Sequence, residues 1–336
     1  MVFPAITSAM GKHSSSVMMS FEEALARITY IAPLADTETL PISSAGQRVL
    51  GQDVVARLNL PPSAVSSMDG YALRASDTEG QNSTLKVIGE VAAGDVPGRL
   101  KVAKGEATRI FTGAAVPFGA DSVVIQENVT TLANGQIKTT GNVENGDYIR
   151  PAAYDFSVDE TLLHKGRLLQ SSDLSLAAAA GHEFLVLRRK PRVAVISTGN
   201  ELVAPGTAPA PGQIIASNAL GVVNLLQKFG AEPIDMGIAR DDLRHLTDKF
   251  AEAMELKADV IVTLGGASVG DHDIVRPALL ELGAQLDFWE VAVRPGKPLM
   301  FGQLGNARIL GLPGNPVSRV VCAQINLRPL LRTELG

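Results

Sequence analysis

The sequence predicts an α/β protein of several domains: a doubly wound α/β domain in the second half, with a β-rich module and a small helical linker domain before it. After Pro191, strand-like runs rich in Val and Ile alternate with segments of helix length, which is typical of right-handed βαβ units around a parallel sheet. Between residues 59 and 150, short apolar runs are separated by Gly, Pro and Asn-Gly turns, as in a compact β module.

Length and composition limit the possible classes. The chain has 336 residues, more than a single domain usually contains, so two or three domains are expected. With 30 basic and 35 acidic residues, the net charge of −5 gives no general attraction to nucleic acid or anionic lipid. The single cysteine, Cys322, excludes an internal disulfide and is predicted to be buried in a helix. Because no apolar run approaches the roughly 20 residues that span a bilayer, we expect a cytoplasmic protein without membrane or nucleic-acid partners.

The first helix is predicted over residues 21–31, where apolar side chains recur at helical spacing. Ser20 is its predicted N-cap, and Glu23 completes a capping box. The residues before it, 1–19, have no apolar signal core and are predicted to be a disordered leader.

A second helix is predicted from Ser172 to the stop at Gly181. The predicted domains are a helical linker domain at 20–58 and 140–188, an inserted β-rich module at 59–139, and the α/β domain at 189–332. The α/β domain has predicted strands at 192–197, 233–238, 259–264, 286–293 and 308–312. Its predicted helices are 218–229, 242–256, 274–282 and 315 to about 331.

Ligands bind an open parallel sheet at the carboxyl ends of its strands, and unusual loops follow three of the predicted strands. The first loop is Ser197-Thr198-Gly199-Asn200-Glu201, which either presents hydroxyls and a carboxylate to a ligand or is a plain turn. The last, residues 312–318, contains Pro313 and Pro316 and is either a rigid strand-to-helix corner or part of an anion site.

The middle loop, residues 265–273, contains three glycines, which let backbone N–H groups approach an anion at a helix N-terminus. Asp271 and Asp273 are either helix caps or ligands of a hard cation such as Mg²⁺. His272 is interpreted as a surface residue. Residues 294–298 add Arg294 and Lys297 between prolines, either as a cationic site for an oxyanion or as a solvated loop.

The chain lacks the P-loop, the glycine fingerprint of dinucleotide-binding folds, the nucleophile elbow of serine hydrolases and the zincin motif. Several blocks nevertheless occur together: Met68-Asp69-Gly70-Tyr71-Ala72, Thr112-Gly113, Ser197 to Leu202, and residues 265–273, 294–298 and 312–318. In this order they resemble the MoeA/gephyrin E-domain family, the molybdopterin molybdotransferases.

The resemblance implies a MoaB/MogA-like three-layer α/β domain and an enzyme that inserts molybdate into adenylylated molybdopterin with Mg²⁺-dependent release of AMP. It also implies a homodimer, with a MogA-type adenylyltransferase before it and molybdoenzyme acceptors after it as further partners.

The resemblance also implies roles for individual residues. The catalytic residues would be Asp69, Thr112, Glu201, Asp242 and Asp273, and the metal ligands would be Glu201, Asp242 and Asp273. The substrate would bind Ser197, Thr198, Gly265, Gly266, Ser268, Gly270, Arg294, Lys297, Pro313 and Pro316.

The chain departs from the family pattern in three places. It ends at Gly336, where the family usually continues, so a missing C-terminal β domain is expected. Glu290 follows Phe288-Trp289 where a lysine is usual, and Ala153-Tyr154-Asp155 replaces Gly-Glu-Asp. A non-catalytic molybdopterin-binding or scaffolding protein is therefore a second hypothesis, and a hydrolase of small phosphorylated or nucleotide substrates is a third.

Overall fold

The computed structural model describes residues 18–34, 36–79, 83–266 and 274–336. The chain divides into two compact units, Met1–Glu38 with Arg188–Gly336 and Thr39–Leu187. We call the first the α/β unit and the second the β unit. In the described part of the chain, no helix is both long and apolar enough to cross a membrane.

The helices are α1 (Phe21–Thr29), α2 (Ser171–Ala179), α3 (Asn218–Lys228), α4 (Leu243–Glu255), α5 (Val275–Glu281), α6 (Pro316–Cys322) and α7 (Arg328–Leu335). The strands are β1 (Thr37–Pro41), β2 (Val54–Val55), β3 (Val65–Ser66), β4 (Gly70–Leu73), β5 (Thr84–Val91), β6 (Glu106–Ile110), β7 (Ser122–Ile125), β8 (Val129–Thr131), β9 (Gln136–Thr139), β10 (Ile149–Arg150), β11 (Thr161–Leu163), β12 (Phe184–Arg188), β13 (Arg192–Thr198), β14 (Leu202–Val203), β15 (Ile214–Ile215), β16 (Glu232–Ala239), β17 (Val260–Leu264), β18 (Gln285–Phe288), β19 (Met300–Leu304) and β20 (Ala307–Leu312).

The α/β unit is built on a six-stranded sheet in the order β16-β13-β17-β20-β19-β18. The first four strands are parallel, and β19 and β18 are antiparallel. Alternate residues of β13 enter different cores: Val193 and Val195 pack with α1, α3 and α6, whereas Ala194 and Ile196 pack with α4 and α5. Helices therefore cover both faces, and the predicted doubly wound α/β fold is confirmed.

The antiparallel edge of this sheet differs from the prediction. The strand predicted to run to residue 293 ends at Phe288, and β19 is not predicted at all. Leaving the sheet after Phe288, the chain enters the loop with Pro295 and Pro298, which have no N–H to donate to a strand ladder. Leu304 pairs with Ala307 across a two-residue turn, Gly305-Asn306. Such a turn predicts a β-hairpin, but the sequence analysis expected helices to alternate with strands in this domain and did not use it.

The ends of the chain show two further differences. The Ser20 hydroxyl accepts the Glu23 amide at 3.1 Å, a cap worth about 1 kcal/mol, but the Glu23 carboxylate pairs with Arg27 at 2.7 Å. The predicted last helix is divided into α6, a π-helical turn at Ala323–Leu327 and α7. Cys322 is buried in α6, as predicted.

Helix α1 belongs to the α/β unit, whereas the sequence prediction groups residues 20–58 with 140–188. Its buried residues Ala24 and Ile28 are part of the core that contains Val193 and Leu330. Helical spacing predicts that one face of α1 is buried. It does not predict which element covers that face.

The β unit contains a six-stranded sheet in the order β7-β4-β6-β5-β9-β8, within the predicted β-rich module. Gly70 begins β4, and a Cβ at this position would collide with the backbone carbonyl of Val124 on β7. The glycine is therefore required for β4 and β7 to pair. Helix α2 lies outside this sheet and packs with a second core that includes Leu50 and Leu169.

Glu334 in α7 is a buried carboxyl whose ionisation opposes folding. It is 4 % exposed, and burial, followed by the nearby Asp259, raises its pKa to about 7. Arg308 and Arg189 act in the opposite direction, but Arg189 already forms two 2.9 Å bonds to Asp259. The folded protein therefore favours the protonated form of Glu334.

We expect the free energy of unfolding to fall as the pH rises. The pKa of Glu334 is raised above its unfolded value, so its contribution is fully present at low pH and is lost as the pH passes about 7. Glu334→Gln should flatten this dependence between about pH 4.5 and about pH 7, measured by urea denaturation. The exposed Glu281→Gln is the matched control, and an unchanged slope in Glu334→Gln would contradict the assignment.

Candidate functional site

A cleft of about 450 Å³ opens at the carboxyl ends of β13, β17 and β20. It is the place where an open parallel sheet binds ligands. The cleft is lined by Ser197, Thr198, Gly199, Glu201, Leu202, Ile214, Ala216, Asn218, Asp241, Leu264, Gly265, Gly266, Pro298, Pro313, Gly314 and Arg319.

The cleft brings together many of the residues predicted from the three loops. These are Ser197, Thr198, Glu201, Gly265, Gly266 and Pro313. The predicted residues Asp242, Arg294, Lys297 and Pro316 are described but are not among its lining residues. Ser268, Gly270, Asp271, His272 and Asp273 lie outside the described residues.

Thr198, the last residue of β13, has a hydroxyl with unused bonding capacity. The residue is 5 % exposed, and its Oγ1 has no hydrogen-bond partner in the described structure. Gly265 and Gly266 adopt φ values of +104° and +62°, and a Cβ on them would lie 3.0 and 3.1 Å from this oxygen. The two glycines therefore let the backbone pass close to the hydroxyl. The predicted approach of their N–H groups to an anion stays a prediction.

Glu201 is held by the turn that follows β13. Gly199 has a φ of +145°, and a Cβ there would collide with the Glu201 carboxylate. The Glu201 carbonyl accepts the Ile214 amide at 2.8 Å, which anchors the far side of the turn. The carboxylate therefore lies against the backbone of the first predicted loop.

The neighbouring aspartates Asp241 and Asp242 have different positions. Asp242 is the N-cap of α4, and its carboxylate accepts the His245 amide at 2.9 Å. Asp241 lines the cleft and forms two reciprocal 3.1 Å bonds with Asn200, each side chain accepting the other residue's amide. The second acidic side chain at the cleft is therefore Asp241, which the sequence analysis missed.

The basic loop borders another depression. Arg294 and Lys297 line a cleft of about 510 Å³ with Met18 and residues 291–293. The Lys297 ammonium lies 3.1 Å from the Glu290 carboxylate, so the acidic departure from the family pattern contacts this lysine directly. Of the described basic loop, Pro298 is the residue that lines the first cleft.

Arg319 is a cation of the cleft that sequence reasoning missed. It is 3 % exposed; Nε donates to the Pro313 carbonyl at 3.1 Å and Nη2 to that of Gly314. In the described structure Nη1 has no partner, and burial lowers the pKa of Arg319 to about 10. Leaving such a donor unsatisfied costs about 1–3 kcal/mol or more.

The sequence does contain a signal for Arg319. It lies in the first turn of α6 directly before the apolar residues Val320, Val321 and Cys322, and a cation near a helix N-terminus opposes the helix dipole. The N-terminus of α6 is capped by Asn315, whose side chain accepts the amides of Val317 and Ser318 at 3.0 and 3.2 Å. These two amides are therefore already bonded, and the residue of α6 that lines the cleft is Arg319.

Asp69 and Thr112 form a pair in the β unit. Asp69 Oδ1 accepts both the amide and the hydroxyl of Thr112 at 2.8 Å. The amide, and next the hydroxyl, lowers the pKa of Asp69, so the carboxylate is ionised at neutral pH. Arg109 lies 5.1 Å from the centre of the Tyr71 ring and donates to the Gly70 carbonyl at 3.0 Å. This bond holds the backbone next to Asp69.

The carboxylates that line the cleft suit a divalent cation, but the described residues do not supply a complete set of ligands. Across residues 18–34, 36–79, 83–266 and 274–336, no group of three His, Cys, Asp or Glu side chains is placed to hold a metal. Glu201 and Asp241 supply two carboxylates to the cleft. Mg²⁺ typically takes one or two carboxylates and completes its shell with phosphate and water oxygens.

Two family models match the chain. The MoeA N-terminal region, domains I and II, matches residues 19–181, and the probable molybdopterin-binding domain matches residues 194–333. A molybdopterin molybdenumtransferase from Haemophilus influenzae is 36% identical over 320 residues, covering 95% of this chain and 78% of its own. Molybdopterin molybdenumtransferase 2 of Mycobacterium tuberculosis is 38% identical over 314 residues, covering 89% of this chain and 75% of its own.

Solved structures agree with these matches. The molybdopterin biosynthesis MoeA protein from Pyrococcus horikosii superposes with a TM-score of 0.84 at 34% identity, covering 95% of this chain and 81% of that chain. Fold, cleft and relatives point the same way, and the chain belongs to the molybdopterin molybdenumtransferase family.

Proposed function

We propose that this transferase inserts molybdate into adenylylated molybdopterin and releases AMP in a Mg²⁺-dependent step. The observation that carries the proposal is the cleft at the strand ends, where two carboxylates and a buried arginine meet the glycine turn after β17. Carboxylates suit a cation that neutralises phosphate, and an arginine suits an oxyanion. Family membership supplies the substrate class.

Within this proposal, Glu201 and Asp241, which both line the cleft, hold Mg²⁺. The ion supplies Lewis acidity and charge neutralisation at the phosphate when bound. Thr198 and the glycine backbone after β17 orient the phosphate-bearing end of the substrate. Asp273, the third ligand implied by the resemblance, keeps that role as a prediction.

The Asp69–Thr112 pair has its proposed role in a homodimer. The family resemblance implies that these residues face the active site of the other subunit. The two hydrogen bonds from Thr112 keep the Asp69 carboxylate ionised and oriented, as required of a group that contacts a cationic or proton-donating part of a substrate. The homodimer, the cytoplasmic location and the adenylyltransferase and molybdoenzyme partners stay predictions.

A second candidate function is molybdopterin binding without insertion. The contact between Glu290 and Lys297 favours it, because a carboxylate 3.1 Å away lowers the positive potential that this lysine offers to an anion. The two functions differ in turnover and not in pterin binding.

The decisive test is a titration of the full chain with adenylylated molybdopterin, molybdate and Mg²⁺. We expect AMP release that requires Mg²⁺ and molybdate, together with reconstitution of an apo molybdoenzyme. Binding of the pterin with neither result would leave the non-catalytic function. AMP release that ignores molybdate would instead favour the hydrolase hypothesis.

The neighbouring aspartates give a matched pair of variants. Asp241→Asn removes one charge from the cleft but keeps an oxygen for the Asn200 amide, whereas Asp242→Asn keeps a good N-cap on α4. We expect Asp241→Asn to lower Mg²⁺-dependent AMP release at least about tenfold, since even the outer-shell partners of a metal typically cost 10–100-fold when they are replaced, and to raise the Mg²⁺ requirement. Asp242→Asn should release AMP at close to the wild-type rate. If Asp242→Asn lost this activity and Asp241→Asn kept it, the metal would be assigned to Asp242.

A further inference from the structure

Arg109 of the β unit has contacts that reach beyond its own strand. It lies on β6, directly opposite Tyr71 of β4 in the antiparallel register. Its guanidinium carbon is 5.1 Å from the centre of the Tyr71 ring and 5.0 Å from the centre of the Phe111 ring. Because each ring attracts a cation at this distance, the two rings together restrict where the guanidinium lies.

The donors of this guanidinium are directed at the backbone around Asp69. Nη1 donates to the Gly70 carbonyl at 3.0 Å, and Nη2 donates to the Gln126 side-chain oxygen at 2.8 Å. The Gln126 amide in turn donates to the Asp69 carbonyl at 3.1 Å. One connected network therefore holds two consecutive carbonyls, those of Asp69 and Gly70, and with them the path of the backbone at Asp69.

The same network reaches Thr112, the partner of Asp69. Phe111, whose ring contacts Arg109, immediately precedes Thr112 in the chain. Thr112 donates its amide and its hydroxyl to Asp69 Oδ1, each at 2.8 Å. Arg109 thus contacts the chain neighbour of each member of the pair. A functional side chain keeps its geometry when packing and hydrogen bonds lock the residues around it, and Arg109 supplies both here.

The charge of Arg109 acts on the same carboxylate. The Thr112 amide and then its hydroxyl lower the pKa of Asp69 most, and the positive charge of Arg109 acts in the same direction. An apolar side chain would pack against the two rings as well as an arginine does. The guanidinium adds two directed donors and a charge, which bracing of the strands alone does not require.

We propose that Arg109 is a positioning residue for the Asp69–Thr112 pair and fixes the orientation in which the Asp69 carboxylate meets the substrate. The inference rests on the proposed function for the reaction that the pair serves. The positioning itself is a property of the β unit and is measurable without substrate.

The first test titrates the Asp69 carboxyl by carbon-13 NMR in the full chain with labelled aspartate, the signal being assigned with Asp69→Asn. We expect Arg109→Met to raise the pKa of Asp69, because a cation is lost and the bonds from Thr112 loosen. Arg109→Lys should raise it less, since lysine keeps the charge without the two-donor fork. The control Lys86→Gln removes the same charge from an exposed position of β5 and should change nothing. An unchanged pKa in Arg109→Met overturns the proposal.

The second test is a double-mutant cycle that follows AMP release from adenylylated molybdopterin with molybdate and Mg²⁺. We expect Arg109→Met to lower the rate at least about threefold in the wild-type background, within the range for residues of one hydrogen-bond network. In the Asp69→Asn background the same substitution should cause no further loss. Equal losses in both backgrounds would indicate a general structural role and overturn the proposal.

Gln126→Ala provides the test if Arg109→Met fails to fold. Gln126 is exposed, and the substitution removes the acceptor of Nη2 while the backbone bond to the Asp69 carbonyl remains. We expect a smaller loss of AMP release that again disappears in the Asp69→Asn background, and an unchanged rate overturns the proposal.

The two kinds of measurement separate the positioning from the proposed function. A raised Asp69 pKa in Arg109→Met, together with a wild-type chain that releases no AMP, would overturn the molybdotransferase proposal and leave the positioning intact. AMP release by the wild type without either the pKa change or the coupling would overturn the positioning alone.

Discussion

The candidate site depends on one constraint, the parallel pairing of β13, β17 and β20 with helices on both faces of the sheet. Parallel strands need crossover connections, so every carboxyl end emerges at the same edge. Val193 pairs with Val260, and Val260 pairs with Arg308, which keeps the three strands in step. Loops more than a hundred residues apart in sequence, after Thr198 and after Leu312, therefore meet at one cleft.

The close packing of this edge explains its residue types. Strand ends buried on both sides leave little room, and the loops accommodate one another through backbone at Gly199, Gly265 and Gly266. Polar side chains that enter such a space lose water without always gaining partners. Thr198 Oγ1 and Arg319 Nη1 are examples, because both are buried without a hydrogen-bond partner in the described structure.

The cleft carries charged side chains of both signs. Among the described residues that line it, Glu201 and Asp241 are acidic and Arg319 is basic. Under the proposed function, the carboxylates would face Mg²⁺. The Glu290–Lys297 contact belongs to the neighbouring depression, so the departure from the family pattern at Glu290 affects that surface and not the lining of the first cleft.

The sequence by itself determined the alternation of strands and helices, the family, and the loops that meet at the strand ends, because periodicity, turn residues and spacing are local properties. Spacing did not separate Asp241 from Asp242, since either residue is able to cap α4, and only the backbone path sends one carboxylate to the cap and the other to the cleft. Nor did it show that the antiparallel hairpin of β19 and β20 completes the sheet, or that α1 packs in the α/β unit. The tertiary structure alone placed Arg319 beneath the cleft and Lys297 beside Glu290, because the burial and pairing of a charge depend on elements distant in the chain.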